Sequence, residues 1–186
     1  MIQLILQDLN SVIKAHLPYA VISGILVFIM AGIIYYGYIS LSYRKIKGLH
    51  LYKMIAAYFL YIYFFMILFI SLLSREPGSR TKASLMLFST VSKDLYGNVF
   101  VVENIIMFIP LGILLPLLNK RFRSWRLCLA AGFLSSCMIE ILQFFTQRGY
   151  FQTDDIITNS IGTVVGFVII STGLKLYINY VKHKNR

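Results

Sequence analysis

Residues 19–43 read YAVISGILVFIMAGIIYYGYISLSY, and residues 54–74 read MIAAYFLYIYFFMILFISLLS; neither stretch holds a charged side chain. Each is long enough to cross about 30 Å of hydrocarbon at about 1.5 Å per residue. A water-soluble fold has nowhere to bury helices that are apolar on every face. The rest of the chain agrees: 58% of its 186 residues are hydrophobic, and the mean hydropathy is +0.74. The fold class expected is all-α, a polytopic membrane bundle of five transmembrane helices with an amphipathic helix at its N-terminus.

Working outward from those two spans, a third is expected at 99–118, interrupted by Pro110 and Pro116, a fourth at 127–146 and a fifth at 156–174. Prolines are tolerated there because neighbouring helices can satisfy the carbonyls they free. Ahead of the first span, Ile2, Ile5, Leu6, Leu9, Val12, Ile13 and Leu17 form one apolar stripe at helical spacing. This predicts a helix lying in the interface and ending near Pro18, or else a flank of the first span. The organisation expected is residues 1–18 as the interfacial helix, 19–53 as the first span with a basic loop, and 54–186 as the main membrane domain. No cleaved leader is expected, since the N-terminus lacks a basic region. The longest connection, 75–98, holds an apolar patch, Leu85–Phe88, expected to dip into the interface.

The net charge of +11 does not indicate nucleic acid. The bases sit beside apolar runs, as juxtamembrane charges do. Four lie at 44–53 (Arg44, Lys45, Lys47, Lys53) and four at 119–126 (Lys120, Arg121, Arg123, Arg126). Four more close the chain (Lys175, Lys182, Lys184, Arg186). Five spans place these three acid-free segments on one side, which predicts an outside N-terminus and a cytoplasmic C-terminus. Cys128 and Cys137, nine residues apart in one helix, fall on opposite faces and read as packing residues.

On that topology the polar residues of three spans reach one level near the outer leaflet. Ser136, Glu140, Gln143 and Gln147 share a face of span four. Asp155, Asn159, Gly162 and Gly166 share a face of span five, Glu103 and Asn104 open span three, and Arg148 and Asp154 lie in the connection between four and five. An ionisable side chain within a span costs several kcal/mol unless paired, so Glu140 marks a site, with Arg148 or another base on the outer side its expected partner. The competing reading is a buried polar latch, in which Asn104, Gln143 and Asn159 hydrogen-bond between helices. GTVVG at 162–166 reads as close helix packing rather than substrate contact.

Other chemistries find little. His16, His50 and His183 are scattered, and no His/Cys set has zinc-like spacing. There is no glycine-rich phosphate loop. Ser135 and Ser136 have no histidine base predicted beside them. Asp154 and Asp155 would need loop geometry to converge on a cation, since helical neighbours point about 100° apart. Trp125 and the tyrosines fit interfacial anchoring. No metal and no cofactor is expected.

The stretches Glu103-Asn104-Ile105-Ile106-Met107-Phe108-Ile109-Pro110-Leu111-Gly112 and Glu140-Ile141-Leu142-Gln143, then Arg148, Asp154-Asp155, Asn159, Gly162 and Gly166, together resemble the VanZ-like family of bacterial membrane proteins. They are similar to its Asn before F-x-P-L-G, its E-x-x-Q, and its Arg, Asp, Asn and Gly in that order. Residues 74–88 resemble a preceding element that usually reads closer to N-L-I-P-F, with Ser84 where the family often has Asn and Leu87 where it often has Pro. The resemblance covers roughly residues 56–174 and leaves out the first span. It implies a bacterial cell-envelope protein, the namesake being associated with low-level resistance to the glycopeptide teicoplanin.

Three functions follow as expectations. The first is a non-enzymatic protein whose outward polar pocket (Asn104, Glu140, Gln143, Arg148, Asp154, Asp155, Asn159) binds membrane lipid head groups, a lipid-linked ligand or a lipoglycopeptide. The second is an intramembrane enzyme acting on a lipid-linked envelope substrate, with Glu140 and Asp155 as catalytic candidates. A small transporter is less favoured, because the five spans show no internal repeat.

Overall fold

The computed structural model describes residues 2–42, 51–73, 78, 83–84 and 95–184. Its elements in order are α1 (Ile2–Ser42), α2 (Leu51–Leu68) running on as a π-helical turn (Phe69–Leu73), and β1 (Ala83–Ser84). Then come α3 (Leu95–Leu118), a 3₁₀ turn (Lys120–Arg123), α4 (Trp125–Thr146), β2 (Phe151–Gln152) and α5 (Thr153–Lys184). Five helices are long and apolar enough to cross a bilayer, at Ile13–Gly32, Lys53–Leu72, Asn98–Leu118, Trp125–Thr146 and Thr153–Lys184. The chain is an all-α, multi-pass membrane protein. The apolar patch at 85–88 and the basic loop at 44–50 lie outside the described residues.

The expected stop near Pro18 does not occur. Helix α1 continues through it, and the apolar span begins at Ile13, ahead of the proline. A proline within a helix strips one carbonyl of its N–H partner, that of the residue four positions back. Here that residue is Lys14, which is exposed. The N-terminal stripe and the first span are thus one continuous helix.

Large apolar side chains point outward, as lipid-facing helices require: Ile22, Leu26, Met30, Phe145 and Val168 are all exposed. Inside, Ile67, Phe108, Leu111 and Ile139 form a core packed against Tyr63, Phe64 and Leu115.

Helices α3 and α5 run in parallel and make the closest seam. A Cβ at Gly162 would collide with the Ile105 carbonyl oxygen, and one at Gly166 with that of Ile109. Small residues at this spacing let backbones approach, which supplies the packing gain that lipid cannot. Gly132 of α4 meets the Thr163 side chain in the same way.

Both prolines of α3 lie inside the helix. Pro116 deprives the Gly112 carbonyl of its helical donor, and the buried Cys128 thiol of α4 donates to that carbonyl instead, at 3.9 Å. Cys128 is thus a packing residue that also repairs a broken ladder. Cys137 is half-buried on the other side of the helix.

Candidate functional site

Polar side chains climb α4 one turn at a time, and each couples to a different neighbour. Ser136, Glu140 and Gln143 are all buried, as their spacing on one face requires. Ser136 Oγ accepts from Asn159 Nδ2 of α5 at 2.8 Å. One turn higher, Glu140 Oε2 accepts the backbone N–H of Gln152 in β2 at 2.8 Å. Next, Gln143 Nε2 donates to the Ser71 carbonyl at 3.1 Å. Beyond the helix end, Arg148 donates to the Leu72 carbonyl at 3.0 Å.

The last two couplings depend on the π turn. The final carbonyls of any helix lack intrahelical partners, and the wider i→i+5 turn at Phe69–Leu73 presents those of Ser71 and Leu72 to α4 and the connection after it. Ser71 itself is buried, and its hydroxyl donates back to Ile67 O at 2.6 Å. A cation at a helix C-terminus also sits favourably in the helix dipole, which adds to the Arg148 contact. Phe69 packs on His16 of α1, ring centres 3.9 Å apart, so the π turn is held from both sides.

The connection between α4 and α5 is equally constrained. Helix α4 ends at Gln147, which adopts the left-handed conformation (φ 55°) with its N–H bonded to the Gln143 and Phe144 carbonyls. Gln147 is therefore exposed and off the face that Glu140 and Gln143 share, where the spacing had put it. The chain then forms β2, which pairs in parallel with β1, Ala83 opposite Phe151 and Ser84 opposite Gln152. The long connection thereby reaches the strand that Glu140 holds.

The candidate residues sort into two groups. Glu140, Gln143, Asp154 and Asn159 are buried, each 5% exposed or less. Arg148, Asp155 and Asn104 are half-buried. Asp154 and Asp155 both stand in the first turn of α5, where the helix dipole favours acids; that is helix, not the loop geometry a shared cation needs. Asn104 precedes Ile105, whose carbonyl touches Gly162, so it lies within a turn of the Asn159 level. Arg148 contacts Leu72 among the described residues, where Glu140 was the expected partner. Asn159 Oδ1 is buried and has no hydrogen-bond partner among the described residues.

Sequence reasoning missed four participants: the Ser71 and Leu72 carbonyls, the Gln152 amide, and Thr163 of α5, fully buried against Gly132 of α4. Ser71 carried a signal, being the one non-tyrosine polar side chain between Met54 and Leu73. Backbone donors and acceptors carry none.

A family model described as VanZ/LLP1 matches residues 19–175. The match takes in the first span, which the motif resemblance had left out, and ends where the resemblance ends. Comparison with curated proteins and with solved structures gives no match.

Proposed function

The chain belongs to the VanZ/LLP1 family, and from that premise we propose that it is a bacterial cell-membrane protein lowering susceptibility to lipoglycopeptides such as teicoplanin. In this reading the end of the bundle where α4 meets α5 holds a lipid head group or the drug itself. The observation that carries it is the convergence of buried amide and carboxylate side chains from α4 and α5 upon a half-buried rim, Arg148 and Asp155. Polar groups cost too much in a bilayer to be spent on packing alone when apolar seams such as α3–α5 are available. A guanidinium at the same end of the bundle as buried carboxyl and amide groups suits a zwitterionic or amide-rich head. The twelve bases of the three acid-free segments support a cytoplasmic position for those segments and an outer position for this rim.

Binding is favoured over catalysis because Glu140 Oε2 is already engaged by the Gln152 N–H rather than presented to a reacting group. The test is susceptibility to teicoplanin and vancomycin in strains carrying no copy, the native chain, Arg148→Gln or Glu140→Gln. The native copy is expected to raise resistance to at least one drug, and Arg148→Gln to remove the gain. Identical susceptibility with and without the chain overturns the reading. Altered lipid or wall composition in the Glu140→Gln strain transfers the case to an envelope-modifying enzyme.

A further inference from the structure

A groove of about 660 Å³ runs between α4 and α5, from Trp125 at the basic end of the bundle up to Ile157 near the start of α5, within the roughly 300–1,000 Å³ common for ligand sites. Arg126, Leu129 and Phe133 of α4 face Ile157, Ile161 and Val164 of α5. The walls are almost wholly apolar, and the charge is confined to one end. There Arg126 lies 5.6 Å from the centre of the Trp125 ring, an aromatic–cation pair of the sort that anchors a helix at the interface. Lys120, Arg121 and Arg123 precede it on the exposed 3₁₀ turn, and no acid occurs anywhere from 104 to 139.

We propose that this groove is a binding site for an anionic phospholipid of the leaflet on the basic side, its acyl chain along the groove and its phosphate at Arg126. Lipid tails are as apolar as the groove walls, so the walls alone select nothing. Selection comes from the head group, and basic pockets between transmembrane helices are where anionic heads are recognised. Charge also argues against a second copy of the chain as occupant. A two-fold interface through this groove sets the same patch against itself and brings the Arg126 clusters together. Its charged end, at Arg126, lies at the other end of α4 from the polar ladder, and the proposal does not rest on the function proposed above.

The full chain, purified after exchange into vesicles of phosphatidylcholine and phosphatidylglycerol, is examined by native mass spectrometry. The native chain is expected to retain phosphatidylglycerol over phosphatidylcholine. Arg126→Gln lowers that retention about fivefold, the factor one basic residue near an anionic surface carries. Ala130→Trp, which fills the groove, lowers retention of both lipids. Arg126 and Ala130 are both exposed, so the thermal midpoint stays unchanged and lost retention reports the site. Equal retention of the two lipids by the native chain overturns the proposal, as does unaltered retention in Ala130→Trp. So does disulfide dimerisation of Phe133→Cys in a Cys137→Ala background.

Discussion

Replacing Gly162 by alanine puts a Cβ into the Ile105 carbonyl, with the Ile105 carbon at 3.0 Å and its Cα at 3.1 Å. All of these are backbone atoms, so no side chain can rotate away and α3 must part from α5. Overpacking of this kind costs roughly 1–3 kcal/mol, and a backbone obstacle sets the upper end. Alanine returns about 1 kcal/mol of helix propensity, leaving a net loss of about 2 kcal/mol. For a chain of this size each kcal/mol moves the midpoint by roughly 2–4 °C, so unfolding should come about 4–8 °C earlier. Reaction of the fully buried Cys128 thiol with a fluorogenic dye during heating in detergent reads the midpoint. Gly173→Ala on the same helix is the control. Nothing lies within 4 Å of its added Cβ, so only propensity changes and the midpoint should rise by about 2–4 °C. Gly162→Ala with Gly166→Ala should cost less than the sum of the two, because one parting of the helices relieves both collisions. If Gly162→Ala and Gly173→Ala shift the midpoint in the same direction, the reasoning about the seam fails.

Cys128→Ser keeps a donor for the Gly112 carbonyl, whereas Cys128→Ala leaves it without one at a cost of about 1–2 kcal/mol; thermal unfolding should rank Ala below Ser. Pro116→Ala restores the helical N–H and should largely remove the difference between the two, which a double-mutant cycle checks. Gln147 occupies a left-handed position that glycine takes without strain, so Gln147→Gly should raise the midpoint by about 1–3 °C, and a fall would refute that account of the α4 terminus.

The spans were legible because a charge-free apolar run has one structural solution in lipid. The inward face of α4 was legible too, since Ser136, Glu140 and Gln143 recur at helical spacing with apolar residues between them. The meaning of Gly162 and Gly166 followed from size alone. The π turn was not readable, because Phe69–Leu73 is as apolar as the helix before it and an i→i+5 turn is set by what its carbonyls meet. The partner of Glu140 was hidden for a related reason: it is an amide of the main chain, identical at every residue but proline. Pro18 misled because the cost of a proline depends on where the freed carbonyl points, and Lys14 stands on an exposed face. Gln147 misled because helical spacing was carried one residue beyond the helix.

The bond between Glu140 and the Gln152 amide has a consequence for whatever anion visits that end of the molecule. A main-chain N–H just ahead of a helix is a natural seat for phosphate or carboxylate, and here the seat is taken by a carboxyl group of the protein's own. A visitor competes with a rival that never diffuses away, whose effective concentration is millimolar or higher. By that competition a loose anion at low concentration would be turned away, and displacement would fall to a guest that brings further contacts of its own.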